Sequence, residues 1–93
     1  MQGQRHQYVT SQLYNVTASD TTEAVFSDAY GIPGYCTGFH ISGTDGTMTV
    51  TGVDASSSAS SNLYVLKGTY YPYAVRKFWS TGTAPAITIV AVR

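Results

Sequence analysis

Residues Tyr70–Arg93 read YYPYAVRKFWSTGTAPAITIVAVR. Two β-prone runs, Tyr73–Trp79 and Ala86–Val92, flank the segment Ser80-Thr81-Gly82-Thr83-Ala84-Pro85. β-Branched and aromatic residues fill both arms and a Gly/Thr/Pro cluster parts them, so the stretch reads as a β-hairpin. The second arm is apolar on both faces. Ile87, Ile89 and Ala91 share one parity, Val90 and Val92 the other, and only Thr88 interrupts. A strand on the surface of a small lone domain carries one polar face. The excess predicts two covers for this arm, one from its own core and one from another subunit.

Working outward, Tyr35–Ser42 alternates, with Tyr35, Thr37, Phe39 and Ile41 on one face. Gly43-Thr44-Asp45-Gly46 follows, and then the run Thr47–Val53. Asp-Gly between alternating segments is a strong hairpin signal, because a type I′ turn needs positive φ at both central residues. That turn sets Thr44 against Thr47, Ile41 against Val50, and Phe39 against Gly52. It collects the large apolar residues on one side, a separation that a one-residue slip would undo. Leu63–Lys67 reads as a further strand with Leu63 and Val65 opposing Tyr64 and Leu66. Tyr8–Tyr14 and Glu23–Phe26 read as short strands. Asn15–Thr22 reads as a polar turn region, Ser27–Gly34 as a loop around Pro33, and Asp54–Asn62 as a small-residue polar loop. No ten-residue segment shows a capped 3.6-residue apolar period, so almost no helix is expected. Six to eight short strands joined by turns predict an all-β fold, a small antiparallel β-sandwich (jelly-roll-like) or barrel. Residues 1–14 form a polar arm that holds at most a first strand, and residues 15–93 form one sandwich domain.

A 93-residue chain of this kind buries roughly 60–65% of its unfolded surface, which leaves it marginal by itself. With one cysteine and no metal-ligand spacing, oligomerisation is the expected further source of stability. Only 11% of residues are charged, and Thr, Ser, Gly and Tyr supply the polarity instead. That composition favours a protein packed into an assembly. Net charge is zero, so no electrostatic footprint for nucleic acid or anionic membrane exists. The acidic residues all precede residue 55, whereas Lys67, Arg76, Lys77 and Arg93 follow it. Complementary patches on neighbouring copies would suit that division. The first dozen residues lack the apolar core of a signal peptide, and no run reaches the ~18–20 apolar residues of a membrane helix. The expectation is an intact cytoplasmic product.

Candidate chemistry is sparse. Cys36 and His40 lie four apart along one strand and therefore ~13 Å apart, too far for a thiolate–imidazole pair. His6, His40 and the scattered carboxylates give no metal site, and no cofactor is expected. Asp45 already has a turn role. Gly43–Gly46 precedes a strand, not a helix that could hold a phosphate. Tyr70, Tyr71, Tyr73, Phe78 and Trp79 admit two readings, a stacking platform for a sugar or buried packing in a core or subunit interface. Arg76 and Lys77 are candidate interface charges or strand residues reaching for solvent.

The order of several short pieces resembles the small virion structural proteins that tailed bacteriophages encode. The pieces are Ser19-Asp20-Thr21-Thr22, Gly38-Phe39-His40-Ile41, Thr47-Met48-Thr49-Val50-Thr51, and Gly68 before Pro72 and Val75-Arg76-Lys77. Thr81-Gly82-Thr83 and Ile89-Val90-Ala91-Val92 complete the set. The match covers about three-quarters of the chain, and its spacing carries it rather than any single motif. The Ser-rich loop 54–62 and Tyr70-Tyr71 depart from the pattern. The resemblance implies a non-enzymatic β-sandwich that decorates or cements a capsid exterior after assembly in the host cytoplasm. It would be a homotrimer bridging subunits of the major capsid protein. The alternative is an adhesion module of a head fibre or tail spike that binds a host-surface glycan with aromatics around loop 54–62. The residues expected at an oligomer or capsid interface are Arg5, Tyr73, Arg76, Phe78, Trp79, Ile87, Ile89, Val90 and Val92.

Overall fold

The structure, a computed structural model, describes residues 12–56 and 58–93. Among them it has nine strands and no helix. The strands are β1 (Leu13–Asn15), β2 (Phe26–Ser27), β3 (Pro33–Gly34), β4 (Gly38–Ser42), β5 (Gly46–Gly52), β6 (Ser61–Val65), β7 (Tyr70–Tyr71), β8 (Val75–Trp79) and β9 (Thr88–Val92). The fold is all-β. A four-stranded sheet runs β1-β9-β4-β7, a three-stranded sheet runs β6-β5-β8, and β2 pairs with β3 alone. Every pairing is antiparallel.

Neither expected hairpin forms. β8 pairs with β5, whereas β9 lies between β1 and β4 in the other sheet. The segment 80–87 is thus an arch between sheets rather than a turn between partners. The same holds for β4 and β5, which sit in different sheets. The type I′ turn is absent because Asp45, like every other described non-glycine residue, lacks positive φ, and the glycine of this connection that has it is Gly43, at +89°, not Gly46. A side chain at Gly43 would collide with the carbonyl oxygen of Ala86. The apolar alternation of Phe39 and Ile41 against Met48 and Val50 is still used. Alternation fixes which face of a strand turns inward, so residues of one parity reach the common buried cluster even though their strands are not neighbours.

Phe39 and Ile41 from β4 and Ile89 and Ala91 from β9 meet Met48 and Val50 from β5, Val65 from β6 and Phe78 from β8; all are buried. Phe39 meets Phe78 edge to face at 5.4 Å between ring centroids, a geometry that adds about 0.5–1.5 kcal/mol beyond burial. Val75 and Phe78, three apart, are both buried because a register shift between Thr51 and Gly52 interrupts the β5–β8 ladder. A bulge of this kind moves one residue to the other face. Cys36 precedes β4 and is buried, its thiol near the carbonyls of Tyr73 and Val75 at 3.9 and 3.7 Å. His40 is only half-buried and pairs with Tyr70 and Val90. The two therefore do not lie along one continuous strand as expected. Burial raises the Cys36 thiol above its ordinary pKa, which makes it an inert filler.

The remaining expectations shift at their ends. The first strand begins at Leu13 among the described residues, and the Tyr8–Ser11 part of the expected run lies outside them. Glu23 and Ala24 stand outside any strand, with the Ala24 N–H donating to the Arg76 carbonyl at 2.8 Å. The Ser27–Gly34 loop contains the β2–β3 pair, closed by Gly31 at φ +80°. Ser61 and Asn62, expected in the loop, belong to β6.

Candidate interaction surface

Each larger sheet has a second face turned away from the shared core, and the chain treats the two faces differently. On the three-stranded sheet that face carries Thr49, Thr51, Lys77 and Trp79. Register places Thr49 opposite Trp79 and Thr51 opposite Lys77. Although they point away from the core, Thr49, Thr51 and Lys77 are buried. Trp79 Nε1 donates to Thr51 Oγ1 at 2.8 Å, and Thr51 Oγ1 donates to the Ala59 carbonyl, which ties the loop after β5 across the sheet. Lys77 Nζ lies 4.0 Å from the Trp79 ring centroid and donates to the Asp20 carbonyl at 3.3 Å. Gly82, at φ +89°, brings its backbone so close to Thr49 that a side chain there would collide with the Thr49 hydroxyl. The chain thus builds its own roof over this sheet.

Two carboxylates anchor the roof. Asp20 Oδ1 accepts from the Ser80 N–H and hydroxyl and the Thr81 N–H, and Asp20 Oδ2 accepts from the Thr81 hydroxyl at 2.5 Å. The Thr81 bonds, first among these, hold the Asp20 carboxyl below its ordinary pKa. Glu23 Oε1 accepts from the Tyr35 hydroxyl at 2.6 Å, and Glu23 Oε2 pairs with Arg76 Nε at 3.0 Å. The Tyr35 bond and then the Arg76 charge lower the Glu23 pKa. Arg76 also donates to the Ala55 carbonyl at 2.7 Å and lies 5.4 Å over the Tyr35 ring. The segment from Ser19 to Ala24 is thereby clamped along β8.

The outer face of the four-stranded sheet has no such cover among the described residues. Register sets Leu13, Val92 and Gly38 in one row, Asn15, Val90, His40 and Tyr70 in the next, and Thr88 with Ser42 in a third. Val90, Val92 and His40 are half-buried, while Leu13 is 69% and Tyr70 47% exposed. The Tyr70 phenol lies over Gly38, where any side chain would collide with it. An aromatic ring over a strand glycine covers the backbone that the missing side chain would leave bare. The rows hold no carboxylate, lysine or arginine. Close to the 80–87 arch, a cavity of about 240 Å³ is lined by Val16, Ala18, Thr83, Pro85, Ile87 and Ile89.

The residues expected at an interface divide among these places. Val90 and Val92 share the open face. Ile89 and Phe78 are buried in the core, and Ile87 is half-buried at the cavity. Trp79 and Arg76 belong to the roof and its clamp. Tyr73 is half-exposed, its ring 6.3 Å from Phe39 and 6.2 Å from Tyr71. Arg5 lies outside the described residues. Sequence reasoning passed over Leu13 and named Tyr70 only among the aromatics of a stacking platform or packed interface; both stand in the rows beside Val90 and Val92. The signal for Leu13 was its parity with Val9. Nothing local marked Tyr70 as the ring that lies over Gly38. No group of three or more His, Cys, Asp and Glu that could hold a metal occurs among the described residues.

Comparison with protein-family models, with curated proteins and with solved structures finds no match to this chain.

Proposed function

We propose that this chain is a non-enzymatic structural subunit that works by docking the outer face of its four-stranded sheet onto another protein. The observation that carries the reading is the half-buried pair Val90 and Val92, whose rows hold no carboxylate, lysine or arginine and end in the exposed Leu13 and Tyr70. Covering such a row removes apolar area from water at about 25 cal/mol per Å². The other sheet demonstrates how this chain encloses an outer face when it has the loops to do so. The packing of Phe39 on Phe78 supports a sandwich arrangement of the two sheets.

The sequence resemblance narrows the partner to the capsid of a tailed bacteriophage. In that setting copies associate as trimers and bridge neighbouring major capsid subunits. Many such bridges raise the barrier to capsomer separation, since each bound copy stabilises the joined state by mass action. Quantifying the chain in purified particles tests this reading. Copies in the hundreds, lost when Val90→Ser and Val92→Ser are combined, are the expected result. Absence from particles defeats the capsid assignment, and copies in multiples of a few at a vertex favour the adhesion module instead.

A further inference from the structure

The edge of β6 is the longest unpaired strand edge among the described residues. β5 turns the Thr47 carbonyl toward Ala84 N–H at 2.9 Å and the Thr49 N–H toward the Thr83 hydroxyl at 3.1 Å, both away from β6. Backbone groups alternate in direction along an antiparallel ladder. The β5–β6 bonds therefore run through the pairs Gly46–Val65, Met48–Leu63 and Val50–Ser61 of the observed register. The N–H and C=O groups of Asn62 and Tyr64 point outward from the sheet. Just beyond the strand the pattern stops, because the Leu66 N–H is taken by the Tyr71 hydroxyl at 2.9 Å and the Lys67 N–H by Asp45 at 2.8 Å.

The other edges are managed differently. β8 is lined by the clamped segment, with the Ser19 N–H donating to the Phe78 carbonyl and the Ala24 N–H to the Arg76 carbonyl, both at 2.8 Å. β1 spans three residues and β7 two. Strand edges are ordinarily blunted by charge, proline or a bulge. Ser61-Asn62-Leu63-Tyr64-Val65 has neither charge nor proline, and its pairing with β5 runs without a register shift. Tyr64 is 68% exposed beside it.

We infer that β6 pairs antiparallel with β6 of a second copy about a two-fold axis through Leu63. In that register Asn62 of each copy lies opposite Tyr64 of the other, and the two pairs exchange N–H···O=C bonds in both directions. Leu63 meets its own counterpart on the core side. The contact is isologous, so it closes at two copies and leaves no edge to propagate a fibre. A second copy fits better than an unrelated strand because one operation satisfies both open edges. An edge of about 17 Å falls short of the ~1,200 Å² that standing dimers bury. The pairing is accordingly a concentration-dependent one that strengthens wherever copies are held side by side. It uses a different part of the molecule from the valine face and does not rest on the proposed function.

Amide exchange and sedimentation, followed from dilute solution to about 1 mM, test it. The Asn62 and Tyr64 amides slow at least about tenfold as dimer accumulates, while the amides of β1 do not. Tyr64→Pro removes an outward N–H that the chain's own ladder does not use, which an edge strand tolerates, and it abolishes the dimer. Leu63→Cys gives a second arm that does not depend on that variant. Facing residues on paired strands bring Cβ atoms ~4.5–5.5 Å apart, so oxidised glutathione converts it to a disulfide dimer far faster than Val25→Cys. A wild-type chain monomeric throughout, a dimer that survives Tyr64→Pro, or equal cross-linking of the two cysteine variants overturns the inference.

Discussion

The two outer faces of this molecule start from similar material and end in opposite conditions. On the three-stranded sheet, polar and even cationic residues are buried, because Trp79, the loop through Ala59 and the turn at Gly82 close over them. On the four-stranded sheet, valines stay half-buried and, among the described residues, the Tyr70 ring is what lies across. The difference teaches that residue polarity does not decide which face is covered. Loop placement does, because Ala59 of the segment after β5 and Gly82 of the 80–87 arch both reach this sheet's outer face.

The sharpest break of this comparison is Trp79→Ala. It removes the indole bond to Thr51 and the ring beneath Lys77, leaving two buried polar groups short of partners. A loss of about 3 kcal/mol in urea unfolding is expected. A change below about 1 kcal/mol would mean that the roof is ornamental. Next comes Gly82→Ala, which puts a side chain at φ +89° against the Thr49 hydroxyl. It should cost more than the about 1–2 kcal/mol of the left-handed backbone alone, read from the same unfolding curves, whereas Gly68→Ala, with open space around it, carries only that backbone part.

Acid sharpens the comparison from another side. Asp20 and Glu23 have folded pKa values below their ordinary ones of 3.8 and 4.5. Their contribution is fully present above those values and is lost as pH falls through the folded ones. Protection of the amides of Ser80 and Thr81 should therefore drop below about pH 4, before the core amides of Phe39 and Ile41 lose theirs. Asp20→Asn should flatten that dependence, and an unchanged profile would sink the anchoring role. The smallest effect is expected on the open face. Val90→Ser with Val92→Ser should lower the stability of the dilute monomer by about 1 kcal/mol or less per site, while removing docking. A loss as large as that of Trp79→Ala would show that this face is already enclosed.

Strand faces were legible in the sequence, and strand neighbours were not. The parity of Leu63 and Val65 against Tyr64 and Leu66 returns in the burial of Val65 and the exposure of Tyr64. The excess of apolar residues on the last strand returns as Ile89 and Ala91 in the core with Val90 and Val92 behind them. A two-residue period reports only which way a side chain points. It is silent on whether the next strand lies beside or across, so both hairpins were misplaced. The apolar face was half legible, since Val90 and Val92 stood out. Leu13 and Tyr70 join them only through pairings spanning most of the chain. Trp79 and Arg76 looked like interface residues because an indole or a guanidinium carries no mark of whether its partner is Thr51 or Glu23 of the same chain.

One feature of the ladder order governs how the molecule can be made. β9 lies between β1 and β4, so the last of the described strands is an inner member of the sheet that also holds the first of them. No N-terminal portion can assemble that sheet alone, and a growing polypeptide holds β1 and β4 unjoined until residues 88–92 arrive. Such distant pairing places this domain with the slower folders. Until that insertion, the backbone N–H and C=O groups with which β1 and β4 meet β9 lack those partners.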